Sequence, residues 1–514
     1  MRKLITAKQA QHLDQRTQQI KNISGEVLMN RAGTRVAQLL IKDFPKANNI
    51  VILVGPGNNG GDGLVVAKQL FVYHQNRSSL NLTIVCPREG HSDLWKQKKA
   101  ELIAAEGHRL QWISEAELVS FMKPSSHAQW DLLVDAAFGV GISRPLNSLW
   151  IQVLSQLRAQ CQHSVAVDLP SGLDATTGHA YEGAPLCDRT YSMGRAKLGM
   201  VVGDGPRLCG RISCLAIGFS SLAEAELSPQ IYFYGQQEAL PDLPVADANS
   251  INKSTRGHLL VLAGSEGMEG AGALAATAAA RMGAGYVTWA RWPQPQGYMV
   301  PTPPSVLGAV LDPELEFLDR VKPPRAAVIG PGLGLSQQSR KLIKNIYNRF
   351  YDIPVVVDAD ALHLLKMEGL YPVPPQWILT PHSGELSKLL DVAIEDVNCH
   401  RLEILLTAQN KLGGTILLKG FRSLVSLPMG DVFVIGAGGP VLAKSGTGDV
   451  LAGMIGGLLS RGLEPGHALR LAAFLHGKAG DFYVKKWKND FSLVASDMSD
   501  LLPRVLRGMY GSKI

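Results

Sequence analysis

Cysteine is scarce in this chain, with six among 514 residues (Cys86, Cys161, Cys187, Cys209, Cys214 and Cys399). None stands in CxxC spacing or in a cluster with histidine, which argues against zinc or a redox pair and leaves reduced, mostly buried thiols as the expectation. Long hydrophobic runs are missing too. The most apolar stretch, Gly270 to Ala290, is rich in Ala and Gly and broken by Arg281, so it reads as a packed helix rather than a membrane span. The first ten residues include basic side chains but no apolar core or cleavage pattern, so no secretory signal is visible and a cytoplasmic protein is expected. The formal charge is +7, but Lys and Arg are dispersed and no arginine-rich tail or RNA-binding signature occurs. A polynucleotide partner is therefore not expected, whereas small anionic ligands suit the charge.

Glycine, by contrast, is plentiful, at 53 residues, and it clusters where strands should turn into helices. In the first half, continuous apolar runs at Asn49–Val54, Leu80–Val85, Asp131–Val134 and Ser164–Val167 alternate with amphipathic segments at 63–74, 93–106 and 149–159. Strands buried on both faces give such runs, so parallel βαβ units and a Rossmann-like doubly wound sheet follow, with ligands at the strand C-termini. From Ile217 to Asn252 the pattern breaks around Pro229, Pro241 and Pro244, which puts a domain boundary near Leu222. Two α/β domains, 1–222 and 223–514, are expected, since one core rarely serves so long a chain. The second half resumes with runs at His258–Leu262, Ala326–Ile329, Pro354–Asp358, Trp377–Thr380, Thr415–Leu418 and Asp431–Ile435.

Two glycine-rich turns are candidate anion cradles. The first, Gly55 to Gly63, reads GPGNNGGDG and turns through Asn58, Asn59, Gly60, Gly61 and Asp62 into a helix expected near Gly63. It is neither a Walker loop nor a clean dinucleotide fingerprint. Further polar strand ends, Asp135 with Gly139 to Ile142 and Asp168 through Ser171 to Asp174, could converge on one pocket. Asn59, Asp135 and Ser171 offer only oxygen donors, which suit an alkali or alkaline-earth ion. The second cradle, Ser445 to Asp449, sets an Asp at a glycine-rich helix start, where backbone amides could stabilise a transferring phosphoryl group and the carboxylate could orient an acceptor hydroxyl. GPGLG at Gly330 to Gly334, Asp358-Ala-Asp360, Thr380 to Glu385 and Leu418 to Gly420 follow at successive strand ends. The residues by themselves also admit a small-molecule kinase with an accessory N-terminal domain, or a non-catalytic nucleotide-binding N-terminal module.

The series GPGNNGGDG, DAAFGVGISRPL and VAVDLPSGLDA resembles the N-terminal domain of bifunctional NAD(P)H-hydrate repair proteins, the NAD(P)HX epimerases. That resemblance implies that Asn58 to Asp62, Gly139, Val140, Gly141, Ile142, Ser143, Arg144, Pro145 and Asp168 bind the hydrated nucleotide. It also implies a potassium ion on Asn59, Asp135 and Ser171, with Asp168 as acid–base residue. The later series, GSEGMEGAGALAATAAARMGAG, GPGLG, DADAL, TPHSGE, LLKG and KSGTGDVLAG, resembles the ADP- or ATP-dependent NAD(P)H-hydrate dehydratases, which have a ribokinase-like fold. It implies that Ala271, Gly332, His382 and Asp449 contact the hydrate, that Lys419, Gly420, Phe421, Arg422, Ser423 and Gly448 bind the adenine nucleotide, and that Asp449 is the base. Mg²⁺ would neutralise the donor phosphates. The chain departs from the family where Phe421-Arg422-Ser423 replaces a small residue followed by Gly-Thr or Arg-Thr. The implied reactions are epimerisation of R and S NADHX and NADPHX, then nucleotide-dependent dehydration of the S form. Symmetric assembly is common enough that a homo-oligomer is expected.

Overall fold

The β-branched runs become the inner strands of mainly parallel sheets in a computed structural model that describes residues 2–73, 80–121, 130–244, 252–293 and 300–511. The chain forms two compact units, Lys3–Gln230 and the residues from Ile231 onward together with Arg2. The division lies a few residues past Leu222 because the helix Ser221–Ala225 belongs to the first unit. There Ala223 and Leu227 are buried with Ile5, Ala10 and Leu13.

In the first unit, strands pair in the order Leu110–Ser114, Asn81–Cys86, Asn49–Val54, Trp130–Ala136, Cys161–Val167, Arg189–Met193, Arg211–Leu215. All these pairings are parallel. Chain order runs outward in both directions from Asn49–Val54 and Trp130–Ala136, so a crevice opens at their C-terminal ends, as doubly wound sheets require. Ile52, Leu132 and Val134 are fully buried there, each contributing about 1.5–3 kcal/mol of apolar burial. Helices Asp93–Glu106 and Ser148–Ala159 agree with the amphipathic segments, the first capped by Ser92 accepting from Trp95 N.

The helix expected near Gly63 starts at Asn58 and runs to Tyr73; His74, the expected end, lies outside the described residues. Its first turn is thus built from Asn58 to Gly61, the residues read as a turn. Glycine makes this possible, because a Cβ at Gly60 would stand 1.8 Å from Gly55 O.

In the second unit the order is Leu307–Val310, Tyr286–Arg291, His258–Leu262, Ala326–Ile329, Val355–Val357, Val373–Leu379, Gly413–Leu418, Leu424–Ser426, Val432–Ile435, Ile231–Tyr234. Leu424–Ser426 is antiparallel to both neighbours, and the other pairings are parallel. Here the order reverses between His258–Leu262 and Ala326–Ile329, beside the glycine loop 330–334. The stretch Gly270 to Ala290 is only partly helical. Its helix, Glu269–Arg281, ends before the strand Tyr286–Arg291, since Gly283 at φ 94° reverses the chain. The stretch 217–252, read as patternless, also holds the short strand Ile231–Tyr234 and helix Gln236–Ala239. Gly453, Gly456 and Gly457 let helix Thr447–Ser460 cross closely over its neighbours; a Cβ at Gly453 would sit 2.0 Å from Ala275 O.

The α/β expectation therefore holds for both units. The six cysteines are free, four of them buried and Cys214 and Cys399 exposed. No described helix is long and apolar enough to cross a membrane.

Candidate active sites in the two units

At the first crevice, Asn58, Asn59, Asp62, Gly139, Val140, Gly141, Ile142 and Asp168 line one cavity of about 520 Å³. Gly60 and Gly61 do not line it. They are buried in the helix's first turn, where a Cβ on Gly61 would press on Met29. Ser143, Arg144 and Pro145 are exposed and outside the cavity's lining.

Asp168 follows strand Cys161–Val167 with a positive φ of 65°, a conformation Asp tolerates better than most residues but at some cost. Its backbone N–H donates to Tyr191 O at 2.9 Å, and its Oδ1 accepts from Met193 N at 2.8 Å. The same oxygen accepts from the buried Lys197 ammonium, which donates also to Ser192 Oγ at 3.0 Å and Met193 O at 3.2 Å. Asp168 is thereby fixed in one orientation.

Lys197 and Asp14 line the same cavity and escaped the sequence reading, because neither sits in a glycine motif. Asp14 lies on the helix Ala7–Lys21. Burial, then the nearby Asp168 charge, pushes its carboxyl up to about 6, against the lowering effect of Lys197. Burial raises Asp62 well above the usual carboxylate range, with Asp168 and Asp14 adding to it.

Beside this cavity, Asp135 accepts from Ser171 Oγ at 2.6 Å, Ser171 N at 2.8 Å and Ala137 N at 3.2 Å. Its carboxyl is pushed up to about 6 by burial, which those hydrogen bonds only partly offset. The buried Asn59 amide nitrogen has no hydrogen-bond partner, and a Cβ at Gly139 would lie 3.5 Å from Asn59 Oδ1. The Asp135 carboxylate, the Ser171 hydroxyl and the Asn59 side-chain oxygen are hard donors of the kind a monovalent cation takes, whereas the unpartnered Asn59 nitrogen is a hydrogen-bond donor and adds nothing to that set.

In the second unit, Asp449 stands in the first turn of helix Thr447–Ser460, behind Gly446 at φ 85°. Its carboxyl is pushed up to about 7, by burial first, then by Asp358; Lys419 opposes, while Asp360 and Glu385 add to the rise. Lys419 Nζ lies 2.8 Å from Asp358 Oδ1 and 3.7 Å from Glu385 Oε2, and Thr380 Oγ1 donates to Asp358 at 2.7 Å. A Cβ on Gly448 would reach Lys419 Nζ at 3.6 Å and Asp358 Oδ2 at 3.9 Å, so the glycine-rich helix start abuts this acidic cluster. Lys419 is thus paired with carboxylates, a role its place in the LLKG motif did not disclose.

His382 caps helix Ser383–Leu390, its Nδ1 accepting from Gly384 N at 3.0 Å and Glu385 N at 3.3 Å. A bridge pairs it with Lys419. Gly332 has φ 57°, and a Cβ there would stand 3.2 Å from the Ala271 Cβ, so these two positions also adjoin. Phe421 is 46% exposed, with the Arg422 guanidinium carbon 5.3 Å from its ring centroid, and Ser423 Oγ closes the loop by donating to Gly420 O at 2.9 Å. Arg401 donates to Phe421 O at 2.7 Å, and His476 Nε2 donates to Thr447 O at 2.9 Å. Burial lowers His476 to about 4, so it is neutral at pH 7. Neither residue lies in a motif. Among the described residues, no group of three or more His, Cys, Asp or Glu is arranged to hold a metal ion.

Two α/β units, each with a glycine-rich helix start next to a group of carboxylates, define a two-site enzyme acting on phosphorylated ligands. Comparison with known proteins specifies which. Residues 259–504 match the family model of NAD(P)H-hydrate dehydratase, and residues 25–199 match that of the YjeF-related protein N-terminus. The bifunctional NAD(P)H-hydrate repair enzyme of Moorella thermoacetica is 34% identical over 98% of this chain and 97% of its own. That of Coxiella burnetii is 31% identical over 93% and 94%. An ADP/ATP-dependent NAD(P)H-hydrate dehydratase of Bacillus subtilis, co-crystallised with ATP and Mg²⁺, is 31% identical, covering 54% of this chain and 98% of that one at a TM-score of 0.48. The chain belongs to the bifunctional NAD(P)H-hydrate repair enzymes, with an epimerase domain followed by a dehydratase domain.

Proposed function

We propose that the cavity bearing Asp168 epimerises R and S NADHX and NADPHX, and that the Asp449 cluster dehydrates the S form using ADP or ATP. The epimerase domain extends to Gln230 and the dehydratase domain begins at Ile231. In the first, Asn58, Asn59 and Asp62 with Gly139 to Ile142 hold the hydrated nucleotide, Gly60 and Gly61 only shape the helix turn behind them, and Asp168 takes and returns a proton at the hydroxyl of the hydrated carbon. The exposed Ser143, Arg144 and Pro145 would meet it only at the cavity's edge. Potassium would be held by Asn59, Asp135 and Ser171, where it would offset the buried carboxylate and steady the pocket.

In the second domain, Asp449 accepts the hydroxyl proton as the oxygen attacks the terminal phosphorus of the nucleotide. The first-turn amides at Gly448 are oriented to receive phosphoryl oxygens. Phosphate is a better leaving group than hydroxide, so the ring then sheds phosphate from one carbon and a proton from its neighbour. Ala271, Gly332 and His382 contact the hydrate, while Lys419 to Ser423 face the adenine nucleotide. Because Lys419 already engages Asp358 and Glu385, these carboxylates are not a ready-made divalent site. Mg²⁺ enters on the nucleotide's phosphates and neutralises their charge.

The observation that carries this reading is the Asp449 carboxyl in the first turn of a glycine-rich helix start, next to the Lys419–Asp358 pair and pushed up to about 7 by burial, because a general base works best with a pKa near the operating pH. The free thiols suit a reducing cytoplasm, and a homo-oligomer is the expected assembly. The test is recovery of nicotinamide absorbance from mixed hydrate epimers with ADP, ATP or no nucleotide, in the presence of potassium and magnesium. Nucleotide-dependent recovery of both epimers supports the reading, and no recovery with either nucleotide overturns it.

A further inference from the structure

We propose that Asp14 and Asp62 act as a pair that keeps one proton between them and supplies it to the substrate's ring nitrogen while Asp168 takes the hydroxyl proton. The proposal rests on the first cavity being the epimerase site. Three carboxyls, Asp14, Asp62 and Asp168, share this cavity with one ammonium, Lys197. An ammonium has three hydrogens to donate. Those of Lys197 go to Asp168 Oδ1, Ser192 Oγ and Met193 O, so none is left for Asp14 or Asp62.

Asp168 is therefore the carboxyl paired with Lys197, and the other two share its cavity with no cation of their own among the lining residues. The charged groups acting on Asp62 are Asp168, Asp14 and Lys197, and those acting on Asp14 are Asp168 and Lys197. Half-buried carboxyls crowded into one cavity do not all ionise, and their protons leave in steps that belong to the pair. The upward displacement of both carboxyls agrees with this. Environments that drive neighbouring carboxyls apart separate a base from an acid.

The proton balance of epimerisation needs both. Asp168 accepts the hydroxyl proton, the bond between the hydrated carbon and nitrogen breaks, and its electron pair goes to nitrogen, which takes the proton held by Asp14 and Asp62. Rotation about the adjoining carbon–carbon bond presents the other face of the aldehyde. The carbon–nitrogen bond re-forms, the nitrogen returns its proton to the pair, and Asp168 reprotonates the oxygen. No oxidant, reductant or nucleotide is consumed.

The test is interconversion of chromatographically resolved epimers, without nucleotide, as a function of pH. In the wild type, kcat/KM falls at alkaline pH as the pair loses its last proton. Asp14→Asn removes a like charge from beside Asp62, so the alkaline limb moves to lower pH, and Asp14→Glu, which restores a carboxyl, returns it. Asp62→Asn leaves Asp14 alone to carry the proton, so activity is lost above the acid range. An alkaline limb unchanged in Asp14→Asn, whatever the rate, overturns the proposal, as does full alkaline activity in Asp62→Asn. Retained epimerisation in Asp168→Asn would instead overturn the assignment of the site itself.

Discussion

Replacing Asp449 by Asn removes the proposed base of the dehydratase site and should also make its domain more stable. The carboxyl rises from an ordinary 3.8 to about 7 in the folded protein because it is buried beside Asp358, Asp360 and Glu385. The folded state thus binds a proton that the unfolded chain has released throughout the window from about pH 4 to about pH 7. Stability falls with pH wherever the folded state binds more protons, so the wild-type domain loses stability as pH rises through that window. At about 1.4 kcal/mol per pH unit of displacement, keeping Asp449 ionised above pH 7 costs up to about 4 kcal/mol. Asn has no such cost. We expect Asp449→Asn to melt several degrees above the wild type at pH 8, with the gap closing towards pH 4, while dehydration falls by about 10²–10⁴-fold, as loss of a general base entails. The assay is thermal unfolding across pH, following the transition that added nucleotide raises. A variant that melts at or below the wild type at pH 8 would refute the burial argument, and one that keeps its dehydratase rate would refute the role.

Lys419→Met leaves Asp358 buried without its cation, which should cost about 3–5 kcal/mol of domain stability, and it should move the acid limb of the dehydratase pH–rate profile upward, since Lys419 holds the Asp449 carboxyl down; an unmoved limb counts against the coupling. Gly60→Ala drives a Cβ to within 1.8 Å of Gly55 O and should unfold the first turn of its helix, abolishing epimerisation, whereas Gly57→Ala meets nothing within 4 Å and should be tolerated by comparison; circular dichroism and epimer exchange separate the two. Ser171→Ala removes the hydroxyl bonded to Asp135 and, if potassium sits there, epimerisation should lose its response to potassium over sodium while dehydration is unchanged.

The strand cores were legible because strands buried on both faces leave continuous β-branched runs, and Asn49–Val54 and His258–Leu262 agree with the sequence to the residue. Glycine was legible as a signal but not as a geometry. Gly60 and Gly61 read as a turn, yet they form a helix's first turn, since only the fold reveals that Gly55 O leaves no room for a side chain. Carboxylates at strand ends, Asp135, Asp168 and Asp358, carried their own signal through position. Lys197, Asp14, Arg401 and His476 did not, because their importance lies in partners distant along the chain: Lys197 reaches Asp168 from a two-residue strand, and His476 steadies Thr447 from a neighbouring helix. The position of Phe421 likewise depended on tertiary context, through the carbonyl that Arg401 holds and the positive φ of Arg422.

Two separate sites, centred on Asp168 and Asp449, are proposed to divide the repair between them. The most direct measurement is recovery of nicotinamide absorbance from a mixture of both hydrate epimers by the wild type, Asp168→Ala and Asp449→Ala. The wild type should recover both epimers with nucleotide. Asp168→Ala should promptly recover only the S form, and Asp449→Ala should recover neither while still interconverting R and S. Loss of both activities in either folded variant would contradict the claim.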